Sequence, residues 1–331
     1  MDLSLMTLAD LRKKVRSLTT SPSTAQLTDA EIDRNVNIFA LYDMAEHMRE
    51  FILRTTLTFY TKPYIDVYST NTTDINDPLY NFNNEYVTTH QPVMIAGIES
   101  FFSQSRSQFY NNYQILNAQW QIAVGNGVTQ LFAGTLSNAP VLRNNVTFSS
   151  VDALYNGLVV TDDGNGNLII PNNPVAVGTI NYVTGVYTFT YPTAPANTQP
   201  INAMTVPYVP GRPRGLLYFA NTFTLRPVPD QPYPVVIEVY RRPTAFLAST
   251  QMPDLAEWGQ YIAYGAAKKV LEDRKDFETV QAIMPEFHKQ EILCLRRTNQ
   301  QLSNDRTATI YTEGVGIGVG FNAFGWNNGN Y

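Results

Sequence analysis

A chain of 331 residues is long enough for one large domain or two to three small ones with conventional apolar cores. Only 15% of its residues are charged, against a usual share of about 25%, and Asn, Gln, Ser, Thr and 20 Tyr take up much of the difference. With 23 Lys and Arg against 28 Asp and Glu, the net charge is −5, which leaves no global cationic surplus for phosphates and argues against tight, sequence-independent DNA binding.

A surface that is polar without being ionic suits packing against other protein copies, because desolvating an amide or phenol costs less than desolvating a carboxylate or ammonium. The single cysteine, Cys294, excludes an internal disulfide and a Cys-rich zinc site. The opening MDLSLMTLADLRKK lacks the basic head and apolar run of a signal peptide, and no apolar stretch reaches the ~18 residues that span a bilayer. The expectation is a soluble protein, assembled in the cytoplasm, with no membrane partner.

Leu8, Leu11, Val15 and Leu18 recur at helical spacing, and Pro22 ends that run. Thr28 to Glu31 reads as a capping box opening a second helix that is expected to reach about Arg54, with Ile32, Val36, Phe39, Met44, Met48 and Phe51 as its apolar stripe. Leu57 to Tyr68 reads as a strand broken or ended at Lys62-Pro63. Val93 to Phe102 is expected to form a short strand or turn, and the segment around Phe109 a short polar helix.

The middle of the chain changes character. Between Ser100 and Val151 the only charged residues are Arg106 and Arg143, and from Gly164 to Gly211 there are none. Short apolar runs bounded by Gly, Asn, Pro and Asp predict a small antiparallel sandwich or barrel over about 119–211, with tight turns at Asp162–Asn167 and Val183–Gly185. Further on, Thr222–Arg226 and Val235–Tyr240 are expected to pair as a hairpin across PVPDQPYP. A helix is expected from Pro253 to about Arg274, with Gly265-Ala266-Ala267 admitting a close neighbour. Another is expected from Asp276 to about Leu302, kinked or split by Pro285.

No catalytic constellation emerges. His47, His90 and His288 lie in different elements, and none has the i+4 partner of a helical zinc pair. Cys294 falls on an apolar helix face, where an inert buried thiol is expected. Asp162 and Asp163 lack the calcium-loop spacing and read as a solvated turn. Gly314, Gly316, Gly318 and Gly320 precede no helix and complete no phosphate loop. The basic pieces, Arg12–Lys14, Arg212 with Arg214, Arg241 with Arg242 and Arg296 with Arg297, read as partners for nearby acids. The expectation is a structural protein, neither an enzyme nor a cofactor or metal carrier.

The opening LADLRKKVRSLTTSPSTAQLTDAEIDRNVNIFALYDMAEHMREF, the stretch PVMIAGIESFFSQSRSQFYNNY, the segment FTLRPVPDQPYPVVIEVYRRP and the helix EWGQYIAYGAAKKVLEDRKD together resemble the head-to-tail adaptor proteins of tailed bacteriophages, of the connector-ring or tail-tubular-A type. Separately, GNGVTQLFAGTLSNAPV, VTDDGNGNL and GTINYVTGVYTFTYPTAPA are similar to a small all-β module inserted in phage virion proteins. The resemblance implies a virion protein of the neck or tail: a ring homo-oligomer of about twelve copies. It would bind the portal protein and receive the next tail or nozzle protein, while DNA passes through its channel without specific binding. Net negative subunits around that channel would repel phosphate and limit adhesion during ejection.

The expected fold class is α+β: a helical-bundle adaptor core with a small β-sheet, an inserted antiparallel β-sandwich or barrel, and an extended C-terminal tail. The expected limits are 1–118 and 212–305 for the two parts of the core, 119–211 for the insert and 306–331 for the tail. The tail alternates Gly with Val and Ile and ends in aromatics, so Tyr311, Val315, Ile317, Val319, Phe321, Phe324, Trp326 and Tyr331 are the expected partner-binding residues, by strand addition and pocket filling. A receptor- or glycan-binding tail or baseplate component, with the β-module presenting aromatics, is the alternative. A wall-degrading hydrolase is a third reading, for which no carboxylate pair is nominated.

Overall fold

The computed structural model describes residues 6–21, 23–44, 53–254 and 258–304, with side chains of the last helix described as far as Arg296. The first third contains α1 (Leu8–Leu18), α2 (Asp29–Ile38), a π-helical turn (Phe39–Met44), β1 (Arg54–Tyr60), β2 (Val67–Ser69), α3 (Phe82–Glu85), β3 (Tyr86–Ile95), β4 (Ile98–Ser103) and α4 (Arg106–Asn112). Eight strands follow without a helix: β5 (Ala118–Val124), β6 (Leu131–Thr135), β7 (Thr147–Val151), β8 (Gly157–Asp162), β9 (Asn167–Ile170), β10 (Asn173–Ile180), β11 (Val186–Thr190) and β12 (Pro200–Thr205). The chain then forms β13 (Gly215–Phe219), β14 (Thr222–Arg226), β15 (Pro234–Arg241), α5 (Trp258–Asp273) and α6 (Phe277–Asn304).

A helical-bundle core is not what forms. Strands dominate the described residues and gather into one seven-stranded and one eight-stranded sheet. The helical stripes near the two ends do form helices, but the stretches between them, read as a few short strands, build a sheet far larger than expected. Strand after strand there carries β-branched and aromatic residues that favour a pleated, half-buried surface.

The chain divides into two compact units, residues 1–56, 83–90 and 238–331 in the first, residues 57–82 and 91–237 in the second. In the first unit, α1 begins with a full capping box: the Thr7 amide donates to the Asp10 carboxylate and the Asp10 amide to the Thr7 hydroxyl. At α2 only half of the expected box appears, the Glu31 amide donating to the Thr28 hydroxyl at 3.2 Å. The α-helix expected to reach Arg54 stops at Ile38 and widens into the π turn, and Arg54 instead opens β1; Met48 and Phe51 lie outside the described residues.

Leu8, Leu11, Val15, Ile32 and Val36 pack with Tyr261, Ile262, Ala266 and Val270 of α5 in the core of the first unit. A Cβ at Gly265 would stand 2.3 Å from the Phe39 ring, so the missing side chain is what admits that ring. Phe39 and Phe287 each meet Tyr261, both with ring centroids 5.1 Å apart. The last helix passes through Pro285 instead of splitting there; Ile283 and Phe287, flanking the proline, are both buried, and this packing outweighs the lost backbone bond.

The seven-stranded sheet has the order β1-β15-β3-β4-β13-β14-β2. Thus β14 and β15 do not form the expected hairpin. The four prolines of PVPDQPYP supply no amide hydrogen for a ladder between them, whereas Ala220 and Asn221, both at positive φ (49° and 57°), close β14 back on β13. Ala96 and Gly97, also at positive φ, close β3 on β4. The one parallel pairing described in this sheet is β13 with β4.

The eight-stranded sheet lies wholly in the second unit, in the order β5-β12-β7-β8-β9-β10-β11-β6, with antiparallel pairings throughout. It is one continuous curled sheet with β5 and β6 as end strands, where two packed sheets or a closed barrel were expected. Phe148, Val160, Leu168, Tyr187, Phe189 and Ile201 fill its core, and the Phe148 and Phe189 rings stack with centroids 4.5 Å apart.

Candidate functional site

The two cations that stood alone between Ser100 and Val151 meet in the second unit. Arg106, Arg143 and Arg226 line one recess of about 510 Å3, together with Asp66, Tyr110, Asn144, Asn145 and Asn165. That volume is in the range of small-molecule sites, roughly 300–1,000 Å3.

Each arginine is positioned by a local device. Ser105 caps α4, its hydroxyl accepting from the Gln108 amide, and Phe109, fully buried between Phe101 and Tyr113, anchors the helix so that Arg106 in its first turn faces outward. Arg143 sits on the loop between β6 and β7, which is fastened by the buried carboxylate of Asp162. That carboxylate accepts from the Asn144 amide (2.5 Å), the Val146 amide (2.9 Å) and the Tyr182 hydroxyl (2.9 Å). The same loop lies on Gly164, at φ 78°, where a Cβ would come within 2.6 Å of the Asn144 amide group; only glycine permits that approach. Arg226, at the end of β14, donates to Asp66 and to the Leu225 carbonyl.

The charges in the recess do not cancel. Asp66, with a side chain only 10% exposed, is committed to Arg226. Arg143 donates to the Gly164 carbonyl at 3.3 Å and lies over the Tyr182 ring, 5.2 Å from its centroid, while its buried Nε has no partner. Arg106 lies over the Tyr110 ring at 5.7 Å. Among the described residues neither Arg106 nor Arg143 has a carboxylate partner. Nearby Tyr208 has its hydroxyl pKa pushed up to about 12, by burial first and then by the negative charge of Asp66. Burial, and next the Asp162 carboxylate, likewise raise Tyr182. Both phenols therefore stay neutral donors at physiological pH. Two guanidiniums without a carboxylate partner can hold an anion.

The other sequence candidates are not brought together. His90 is half exposed, 3.9 Å from a Glu238 oxygen, His288 contacts Glu291 one turn along α6, and His47 lies outside the described residues. Cys294 is buried. Asp163 is folded into its own turn, accepting from the Asn165 and Asn167 amides and the Asn167 side chain, which hold its pKa below the ordinary 3.8, the Asn167 side chain contributing most. Arg12 pairs with Asp33 at 2.6 Å and Arg241 with Asp254 at 2.9 Å. Among the described residues no group of three His, Cys, Asp or Glu is arranged to hold a metal, and no helix is long and apolar enough to cross a membrane.

All eight expected docking residues, Tyr311, Val315, Ile317, Val319, Phe321, Phe324, Trp326 and Tyr331, lie outside the described residues, as do the four tail glycines. The arginine recess was not anticipated as a site. Its one signal in the sequence was the isolation of Arg106 and Arg143 in an otherwise uncharged stretch, with no acid in that stretch to pair with either. No protein-family model matches this chain, and no curated protein does.

Proposed function

We propose that the chain is a structural virion protein of a tailed bacteriophage, a ring-forming subunit of about twelve copies that joins portal to tail and continues the DNA channel. The supporting structural observation is the apolar surface that the eight-stranded sheet and its loops present to solvent. Val128 is 81% exposed, Val175 65%, Leu131 61% and Val186 53%, on a segment almost without ionic residues. Single exposed apolar side chains are ordinary; this many on one charge-poor module fit a surface that a sibling subunit covers. The resemblance of the flanking segments to phage adaptors supports the same reading, and in it the tail from Thr307 to Tyr331 docks on the portal or the adjacent subunit.

Electron microscopy of the purified full chain, with and without its portal, tests the proposal. A closed annulus, with attachment lost when residues after Arg306 are removed, is the expected result; a protein that stays monomeric in the presence of the portal would overturn it. A second reading, a receptor- or glycan-binding tail component, draws on the Leu154-Tyr155 turn, where both side chains are at least 80% exposed. Saturable glycan binding by the full chain, abolished by Tyr155→Ala, would favour that reading instead.

A further inference from the structure

We propose that the arginine recess of the second unit is a binding site for a phosphate group, either free or carried by a small phosphorylated solute. The inference goes beyond assembly and stands on separate observations.

The first is an imbalance of charge inside a defined volume. Three guanidiniums line a recess of about 510 Å3 and Asp66 pairs with Arg226, which leaves Arg106 and Arg143 without an ion-pair partner among the described residues. Leaving two like charges on one cavity wall carries a cost, and an anion removes it. The second is that one arginine is only half used. The Arg143 guanidinium makes a single weak hydrogen bond, from Nη1 to the Gly164 carbonyl, so Nη donors remain for a bound oxyanion. The third is preorganisation. The Arg143 loop is fixed by two backbone hydrogen bonds to the Asp162 carboxylate and by its seating on Gly164, so a ligand would not have to order it.

Charge selects among the oxyanions. Two cations without an ion-pair partner favour a multiply charged anion, and a phosphate monoester carries about −1.5 to −2 at neutral pH, whereas a carboxylate carries one charge. Two guanidiniums borne on separate elements can each offer paired N–H donors to different oxygens of a tetrahedral group. The volume leaves room for more than the phosphate itself. It is a recess of limited volume on a chain of net charge −5, which fits a discrete small anion better than a continuous polyanion such as DNA.

The experiment is a calorimetric titration of the full chain with inorganic pyrophosphate and inorganic phosphate at constant ionic strength, with acetate as the singly charged comparison. One-to-one saturable binding of pyrophosphate or phosphate is expected, with acetate much weaker. Arg143→Gln and Arg106→Gln should each weaken it about tenfold or more. Arg106 is exposed at the start of α4, so Arg106→Gln keeps the proposal testable even if Arg143→Gln disturbs its loop. Lys13→Gln, at an exposed cation of α1, should change nothing. Three outcomes would overturn the proposal: no saturable binding up to the millimolar range, equal weakening by Lys13→Gln, or binding of a duplex DNA fragment that pyrophosphate does not displace. A protein that forms rings yet ignores pyrophosphate would remove this site and leave the assembly reading intact.

Discussion

The helical core of the first unit and the eight-stranded sheet of the second use carboxylates for opposite purposes. In the first, acids face cations: Arg12 with Asp33, Arg16 with Asp29, Lys269 with Asp43, Arg241 with Asp254. In the second, Asp152, Asp162 and Asp163 accept hydrogen bonds from backbone amides and neutral side chains, each fixing a turn or loop. Where ions are scarce, each carboxylate serves as a local clasp. Arg143 on that sheet's loop, like Arg106 on the helix just before it, is then left without a carboxylate partner among the described residues, and both face the recess.

The sheet module therefore depends on apolar packing, and the largest effect is expected there. Phe148→Ala removes a fully buried ring stacked on Phe189 and should cost about 3–5 kcal/mol, read by denaturant unfolding as an early transition that leaves the helical signal of the first unit in place. A loss of both signals together would break the comparison. In the helical core, Gly265→Ala should cost about 1–3 kcal/mol by overpacking, since the Phe39 ring it strikes is itself held against Tyr261 and Phe287. A neutral result in thermal melting would mean that this ring can move aside.

A smaller change of opposite sign is expected at Tyr191. Its hydroxyl is buried without a partner, and burial holds its pKa above the ordinary 10.0. Tyr191→Phe should stabilise the module by about 1 kcal/mol, measured as a higher denaturant midpoint.

The smallest effect concerns acid. Asp29 and Asp163 are both held below the ordinary 3.8, so each contributes stability that is present above that value and lost as the pH falls through its lowered folded pKa. The causes differ: the Arg16 guanidinium for Asp29, and the Asn167 side chain, then the Asn165 and Asn167 amides, for Asp163. In about 1 M salt, where screening acts within roughly 3 Å, NMR titration should show the Asp29 value rising and that of Asp163 holding. Equal shifts would erase the proposed contrast.

Local patterns were readable before the fold was known. Leu8, Leu11, Val15 and Leu18 marked α1 at its observed limits, Lys62-Pro63 fell between β1 and β2, and DDGNGN marked the turn between β8 and β9. What depends on distant pairing was not readable. The β13–β14 turn is made by Ala220-Asn221, a pair without the glycine that normally signals such a turn, so β14 was joined in expectation to the wrong neighbour. Phe39, placed on a long helical stripe, instead begins a π turn whose ring fits over Gly265, and only tertiary packing selects that. The recess was invisible for the same reason. It draws on Asp66, Arg106, Arg143 and Arg226, brought together by sheet topology, and no spacing rule links residues so far apart.

The position of β5 at one end of the eight-stranded sheet has a consequence for synthesis. It follows directly before β6 in the chain, yet its described partner is β12, which ends at Thr205. A ribosome adding about 5–20 residues per second needs on the order of ten seconds to travel from one to the other. Throughout that interval the nascent β5 has no partner strand, and its exposed ladder must be kept from neighbouring polypeptides until β12 emerges.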